Sequence, residues 1–516
     1  MKKRAILYLC FFALIYLGLF SFQKIDLSSA DIGRHLTNGD IFLHPDAFNA
    51  TRTAILNTNF FSYTNASFPF INHHWASGVL LYLVFTVCGF GGLSLLYFLW
   101  IAGALIFIIL SITDEVDWHT WSLTSIFFIP VIANRLEIRP EGLSILFLAI
   151  AFYILFRYSR DRLSWRWLYV LPAIQLLWVN MHIYFIFGIY LIGIYVFETI
   201  VLKQWQKTKY LSGALVLSVL VSFMNPYGWK AVIYPFLIFN NYGYRIVENQ
   251  SIPFLENLSI ANPTFLWFKI IFCLLVVTSV WMFVRSRRNF LITPTIMALT
   301  FAVLGYLSIR SIAVFGLFAF PLITYNIYHI RKLFKVNMTE EIRIITYVLL
   351  YVIILGATML QFGNQLVWNR DAGLGLADDA LGSVDFVKAH DLHGPIFNNY
   401  DVGGLLIYSL YPREKVFVDN RPEAYPKKFF SDVYVAMQEK DEIWKTELEK
   451  EKFNMIFFYR LDYTPWAQAF LIRRVGDASW APVYVDARTI ILLRRVPENA
   501  RIISKYEIPK SAFGMH

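Results

Sequence analysis

Over the first 360 or so residues, long apolar runs alternate with short polar loops. Runs such as 5–22 and 265–284 have the roughly 20 residues that a helix needs to cross a bilayer core. The positive charges sit in the short loops between them. Arg157, Arg160, Arg162 and Arg166 form one such loop, followed by Lys203, Lys207 and Lys209, then Arg285, Arg287 and Arg288, then Arg331, Lys332 and Lys335. Lys and Arg collect in cytoplasmic loops of membrane proteins, so these loops are expected inside. Lys2, Lys3 and Arg4 put the N-terminus inside as well. A first span near 5–22 then delivers residues 23–75 to the outer face, and a last span near 343–361 leaves the C-terminal part outside. One interval breaks the alternation. Three apolar segments, 76–88, 92–112 and 120–133, lie between two outer loops that an even number of crossings must separate. One of the three is expected to be interfacial or broken. The pattern predicts about eleven crossings.

Beyond about 363 the pattern changes. Apolar runs shorten and charges rise, with turn signals at His393-Gly394-Pro395 and Asp401-Val402-Gly403-Gly404. Short β-rich runs at 395–398, 415–419, 454–459, 482–486 and 489–494 alternate with helical stretches at 383–389, 429–437 and 441–450. Alternating strands and helices predict a small α/β domain, and about 150 residues suffice for its own core. The expected fold is therefore a polytopic α-helical membrane domain over 1–362, with an outer first loop at 23–75, and a C-terminal soluble α/β domain over 363–516.

Composition sharpens this reading. Of 516 residues, 57% are hydrophobic and only 16% charged, against about 25% charged in soluble proteins. A large soluble protein with an apolar core would leave the uncharged spans unexplained. The net charge of +10 follows from the cytoplasmic loops, and no basic groove motif points to nucleic acid. Cys10, Cys88 and Cys273 all lie in apolar segments and suggest neither a disulfide framework nor a metal site. The N-terminus has the charge pattern of a signal peptide, but its apolar run is long and lacks a clear small-residue cleavage site. It reads as a retained first helix.

The polar residues that the positive-inside pattern leaves unexplained all fall on the outer side. The first loop holds Asp31, His35, Asp40, His44, Asp46, His73 and His74. Later outer turns carry Arg135, Arg139 and Glu141, then Trp178, Asn180 and His182, then Asn225-Pro226-Tyr227-Gly228 with Trp229 and Lys230. Glu248, Asn249, Glu256 and Arg310 follow. Ionisable groups at a membrane are costly and mark functional sites by default. The topology allows these groups to converge on one outward-facing cavity.

These residues carry a resemblance. Asp31-x-x-x-His35-Leu36-x-x-Gly39, continuing to Phe61-Ser62-Tyr63-Thr64 and Asn72-His73-His74-Trp75, resembles the first outer loop of the GT-C glycosyltransferases. That superfamily includes protein O-mannosyltransferases and lipid A aminoarabinose transferases. Bacterial GT-C-like membrane proteins share further features: Arg139-Pro140, Trp178-x-Asn180-x-His182, Asn225 to Gly228, Arg310, Tyr400-Asp401-x-Gly403-Gly404 and Val416-Phe417-Val418-Asp419-x-Arg421. The likeness covers essentially the whole chain. It implies transfer of a sugar from a polyprenyl-phosphate carrier to a protein, lipid or polysaccharide acceptor on the outer face, with the protein in the bacterial inner membrane. One position departs from the pattern: the family usually has Glu-Trp where this chain has His74-Trp75. In relatives that acid helps bind acceptor or metal. Here His73 and His74 leave a divalent metal open.

Glycosyl transfer from a lipid phosphate needs a base, cations for the departing phosphate and an apolar groove for the prenyl tail. The resemblance, and its position just after the first span, make Asp31 the candidate base; the alternative is a helix N-cap. Arg310, Arg139, Arg135 and Lys230 are candidates for the phosphate, since guanidinium forks match phosphate oxygens; the alternative is snorkelling to headgroups. His35, His73, His74 and His182 could contact sugar or metal, or serve as hydrogen-bonded core residues. Asn180 and Asn225 are expected mainly to hydrogen-bond at helix ends. Gly403-Gly404 is too little for a phosphate loop. Asp419, Asn420 and Arg421 follow an expected strand, where α/β sites often lie, and a structural turn is an equal reading. The expected function is an inverting membrane glycosyltransferase. An oligosaccharyltransferase or polymerase-like enzyme using a lipid pyrophosphate glycan, and a non-catalytic glycan- or lipid-binding protein, stay open. A transporter would favour inverted repeats and polar groups at the midplane, and neither is visible.

Overall fold

The computed structural model describes residues 2–29, 31–133, 137–334, 340–363 and 372–514. Arg135 and Lys335 lie outside the described residues. The chain forms two compact units. One comprises Met1–Lys24, Ser94–Gly228 and Arg245–Leu374; the other comprises Ile25–Leu93, Trp229–Tyr244 and Gly375–His516. This partition differs from a cut at 362/363, because residues 25–93 and 229–244 group with the C-terminal residues.

The first unit is helical. Among the described residues, five helices are long and apolar enough to cross a membrane: Trp75–Ile112, Glu141–Ser159, Pro263–Arg285, Ile309–Leu333 and Ile345–Gly363. Shorter apolar helices include Phe185–Val201 and Ile292–Leu307. The helix Ile312–Leu333 is buried over its first four turns and packs on Trp118–Ile132, Pro263–Arg285 and Ile292–Leu307. Small and polar side chains join these helices, as expected where lipid removes the hydrophobic drive between them. Thr124 and Thr324 share a hydrogen bond of 2.8 Å. The Asn326 amide donates to Thr278 at 3.3 Å and to Ser279 at 3.4 Å.

A break lies in the interval where the sequence expects an interfacial or broken segment. Residues 75–112 form one helical stretch broken at Gly89, whose φ of 61° and ψ of −164° are readily adopted only by glycine. The part before the break belongs to the second unit, and the residues from Ser94 onward belong to the first.

In the second unit, β1 (Ile396–Asn398), β2 (Met455–Tyr459), β3 (Trp480–Val485) and β4 (Thr489–Arg494) make one sheet in the order β1-β2-β4-β3. β1 runs parallel to β2, and the other pairings are antiparallel. The β3–β4 turn is fixed by Asp486, whose carboxylate accepts from the amides of Arg488 at 2.7 Å and Thr489 at 2.6 Å, a turn role suited to Asp. Four of the five expected strands are present. The fifth, 415–419, does not join the sheet; Val416 instead makes an isolated bridge to the 23–75 loop: the Tyr63 amide donates to the Val416 carbonyl, and the Val416 amide to the Phe61 carbonyl, both at 3.1 Å. The helices expected at 383–389 and 441–450 appear as Gly382–Ala389 and Asp441–Glu451. The stretch at 429–437 is a π-helix, Phe429–Val435, continuing into Ala436–Glu439. An aromatic core of Phe397, Phe417, Trp444, Phe453, Phe458, Phe470 and Trp480 fills the space under the sheet.

Candidate functional site

Asp31 stands at the head of the helix Ile32–Leu43, which is buried over Ile32–Gly39 and at Ile41. Two glycines let other backbones close on it. A Cβ on Gly39 would meet the Gly78 carbonyl oxygen at 2.2 Å, and one on Gly33 would meet that of Gly404 at 2.8 Å. The helix is thus held between the starts of the helices Trp75–Ile112 and Gly403–Leu410. Asp31 has helical backbone angles (φ −70°, ψ −12°), and its side chain makes no capping bond. Its carbonyl already accepts from the His35 amide at 3.2 Å. The capping alternative for the Asp31 carboxylate is therefore not taken up.

Arg34 lies three residues on, which places it on the Asp31 side of the helix. It is 3% exposed, and its Nε donates to Asn420 Oδ1 at 3.3 Å. Burial lowers its pKa, the charge of Asp31 opposes that shift, Arg421 reinforces it, and Asp419 and Glu423 again oppose it. Beside it, Arg421 grips Asp419 in a two-pronged pair, Nε to Oδ1 at 2.8 Å and the terminal nitrogen to Oδ2 at 2.6 Å. The same terminal nitrogen donates to Asn59 Oδ1 at 2.6 Å. The guanidinium rests on the Phe70 and Phe61 rings at 4.8 and 5.5 Å. Burial pushes the Glu423 carboxyl up, against the pull of Arg34 and Arg421. Asp419, Asn420 and Arg421 therefore seat residues of the first loop in a buried, charged nest. Arg34, Asn59 and Glu423 were not singled out by the sequence reading. The available signal was Arg34 itself, a lone cation one turn after Asp31 among Ile, Gly, His and Leu.

The three candidate histidines of the second unit come together as packed rings. His73 and His74 have centroids 3.8 Å apart, His74 meets His35 edge-on at 5.3 Å, and Tyr234 packs on His73 at 5.4 Å. His35 Nε2 lies 3.5 Å from an Arg34 nitrogen. Among the described residues, no group of three or more His, Cys, Asp or Glu side chains is placed to hold a metal ion. His44 instead pairs with Asp40 at 3.0 Å on an exposed surface. Lys230 is exposed at the start of the helix Trp229–Leu237.

The first unit gathers a different set. Arg139 donates to Glu137 at 2.7 Å and to Glu248 Oε2 at 2.8 Å. Arg310, in the single turn Ile309–Ser311, reaches the same Glu248 oxygen at 2.9 Å and pairs with Glu141 at 3.0 Å. Two arginines thus meet three carboxylates, so a phosphate here would compete with carboxylates for the guanidinium donors. Deeper in this unit, His182 Nδ1 lies 2.8 Å from the Ser144 hydroxyl, which also accepts from Trp178 Nε1 at 2.8 Å. The Asn180 amide donates to the carbonyls of Leu176 and Met224, and Asn225 closes its own turn by donating to the carbonyls of Ser222 and Gly228. These contacts tie helix ends together. Asp31, His35, His73, His74 and Lys230 belong to one unit, and Arg139, Asn180, His182 and Arg310 to the other.

No family model and no curated sequence matches the chain. Solved structures do. The oligosaccharyltransferase AglB of Archaeoglobus fulgidus, in complex with an inhibitory peptide and a dolichol-phosphate, superposes with a TM-score of 0.62 at 11% identity, covering 96% of this chain and 75% of that one. ArnT of Cupriavidus metallidurans in the apo state gives 0.57 at 12% identity, covering 98% of this chain and 99% of that one. The same ArnT bound to undecaprenyl phosphate gives 0.53 at 13% identity.

Proposed function

We propose that this chain, which has the GT-C fold of AglB and ArnT, is a membrane glycosyltransferase that uses a polyprenyl-phosphate sugar. The observation that carries the reading is Asp31: within a fold shared over nearly the whole chain, the carboxylate that follows the first helix is relieved of capping and stands one turn from a buried arginine. The neighbours' lipid ligands, dolichol-phosphate and undecaprenyl phosphate, support the carrier class.

In the proposed step an acceptor hydroxyl attacks the anomeric carbon. Asp31 takes the hydroxyl proton, the new carbon–oxygen bond forms as the bond to the phosphate oxygen breaks, and polyprenyl phosphate leaves. A single displacement inverts the anomeric carbon. His35, His73, His74 and Lys230 are proposed contacts for sugar or acceptor from the unit that holds Asp31. Arg139, Arg310, Asn180 and His182 are proposed substrate contacts from the other unit, the two arginines for the lipid phosphate. The proposed location is the bacterial inner membrane, with the N-terminus inside and the C-terminal domain, expected over 363–516, outside.

Mass spectrometry of surface glycans and glycolipids tests this in cells with wild-type, deleted or Asp31→Asn protein. Loss of the same sugar in the deletion and in a folded, membrane-located Asp31→Asn variant is expected, with transfer reduced about 100- to 10,000-fold. An unchanged glycan profile in the deletion overturns the transferase reading.

A further inference from the structure

We infer that Ser144 is a positioning residue that holds the His182 ring with its proton on Nε2, so that His182 meets an oxygen of the carrier phosphate as a hydrogen-bond donor. The inference rests on the reading of His182 as a substrate contact. It also gives a task to Trp178 of the Trp178-x-Asn180-x-His182 motif, which the proposed chemistry leaves unused.

The protons can be placed from which partners are able only to donate. Trp178 Nε1 donates to the Ser144 hydroxyl oxygen at 2.8 Å, and an indole has no lone pair to offer in return. The hydroxyl keeps its own proton to give, and His182 Nδ1 lies 2.8 Å from it. The Tyr184 amide, a second obligatory donor, reaches the same Nδ1 at 3.4 Å. Nδ1 therefore accepts from two sides, and a proton on it would face the Tyr184 amide hydrogen. In an imidazole whose one nitrogen accepts, the other carries the hydrogen, which places it on Nε2. Ser144, Trp178 and His182 are all buried, where a mismatched donor or acceptor is costly.

Packing holds this relay in place. A Cβ on Gly188 would stand 3.1 Å from the Trp178 ring, so the indole lies tight against the helix Phe185–Val201, and the Phe147 ring meets it from another side at 5.6 Å. Glu141, Ser144 and Phe147 follow one another at a spacing of three on the helix Glu141–Ser159, so they share one face. From that face Ser144 holds His182, and Glu141 holds Arg310 at 3.0 Å. The Tyr184 ring packs edge-on against His182 at 4.5 Å and acts electrostatically on Arg310. One helix face thus fixes both His182 and a proposed phosphate cation. A phosphate oxygen held by a guanidinium accepts an N–H and would be repelled by a bare nitrogen lone pair. With its hydrogen in place, Nε2 serves neither as a proton acceptor nor as a metal ligand.

The test reads the His182 hydrogens directly and needs no sugar donor. Full-length protein with isotope-labelled histidine ring nitrogens is studied in proteoliposomes by magic-angle-spinning NMR, and His182 is assigned by the signals missing in His182→Gln. Each ring nitrogen reports separately whether it carries hydrogen. Wild type is expected to show Nε2 protonated and Nδ1 bare. Ser144→Ala is expected to shift the Nδ1 resonance, and Ser144→Thr, which keeps the hydroxyl, to return it. Binding of undecaprenyl phosphate in detergent should weaken about tenfold in Ser144→Ala, roughly one charge-assisted hydrogen bond, and recover in Ser144→Thr. Thr124→Ala removes the bond to Thr324 and is expected to lower thermal stability with the His182 resonances and the lipid binding unmoved. A protonated Nδ1 in wild type overturns the inference, and this reading stands even if Ser144→Ala fails to fold. An unmoved Nδ1 resonance or full-strength lipid binding in folded Ser144→Ala overturns it as well. Wild-type protein that binds no undecaprenyl phosphate would overturn the phosphate role together with the carrier reading. The resonances decide the role of Ser144 apart from both, and apart from the effect of Asp31→Asn on cellular glycans.

Discussion

Gly33 and Gly404 touch through their backbones: a Cβ on Gly33 would lie 2.8 Å from the Gly404 carbonyl oxygen and 2.9 Å from the Cβ of Tyr408. Both neighbouring atoms belong to the buried helix Gly403–Leu410, so neither can swing aside. The contact joins the segment that carries Asp31 to a helix 370 residues later in the chain.

Gly33→Ala should force these two helices apart. Overpacking of this kind costs about 1–3 kcal/mol, so the thermal midpoint in detergent should fall measurably. If Asp31 depends on this contact, glycan transfer in cells should fall further than the loss of folded protein explains. An unchanged midpoint would show that the backbones separate without cost.

The Asp419–Arg421 pair gives a second, sharper expectation. Both side chains are almost wholly buried, at 0% and 2% exposure. Asp419→Asn leaves the Arg421 guanidinium without its counter-charge, and breaking one half of such a pair costs about 3–5 kcal/mol. The double variant Asp419→Asn with Arg421→Met removes the orphaned charge and should cost less than Asp419→Asn alone. Denaturation midpoints of the two single variants and the double decide this; a double variant as unstable as the sum of the singles would contradict it.

Much of this architecture is legible in the sequence because it is local. The four sheet strands announce themselves as short β-rich runs, and the apolar helices by length and composition. What escaped the sequence is what depends on distant partners. Residues 415–419 read as a sheet strand, yet their partners are Phe61 and Tyr63 of the first loop. The sequence expects one of 76–88, 92–112 and 120–133 to be interfacial or broken but not where; the break falls at Gly89, between the first two. Asp31 reads equally as a cap, and only the backbone angles remove that role. Arg34 carries no motif signal until Asn420 and Asp419 are brought beside it.

The arginine pair of the helical unit bears on phosphate binding. Arg139 and Arg310 both spend a hydrogen bond on the same oxygen of Glu248. If these arginines bind the carrier phosphate, Glu248 competes with it. Glu248→Gln should then tighten binding of undecaprenyl phosphate, and Arg310→Lys, which loses the planar fork, should weaken it by about tenfold, roughly one charge-assisted hydrogen bond. Equilibrium binding of undecaprenyl phosphate in detergent measures both. Weaker binding in Glu248→Gln would instead make Glu248 the residue that orders the arginines for the ligand.

Glu423 makes stability depend on pH in a predictable direction. Burial raises its carboxyl above the ordinary value of 4.5, although Arg34 and Arg421 pull the other way. The folded chain therefore keeps this proton to a higher pH than the unfolded chain does. Over that interval the unfolded state binds fewer protons, so stability falls as pH rises. The contribution is fully present below the unfolded value and is lost as pH climbs through the folded one. Glu423→Gln keeps the shape and a hydrogen-bonding amide but cannot ionise. Thermal midpoints taken at half-unit steps from pH 4 upward should decline less steeply in Glu423→Gln than in wild type, and the two curves should converge at the acid end. Parallel curves across the whole range would mean that Arg34 and Arg421 hold Glu423 ionised despite its burial.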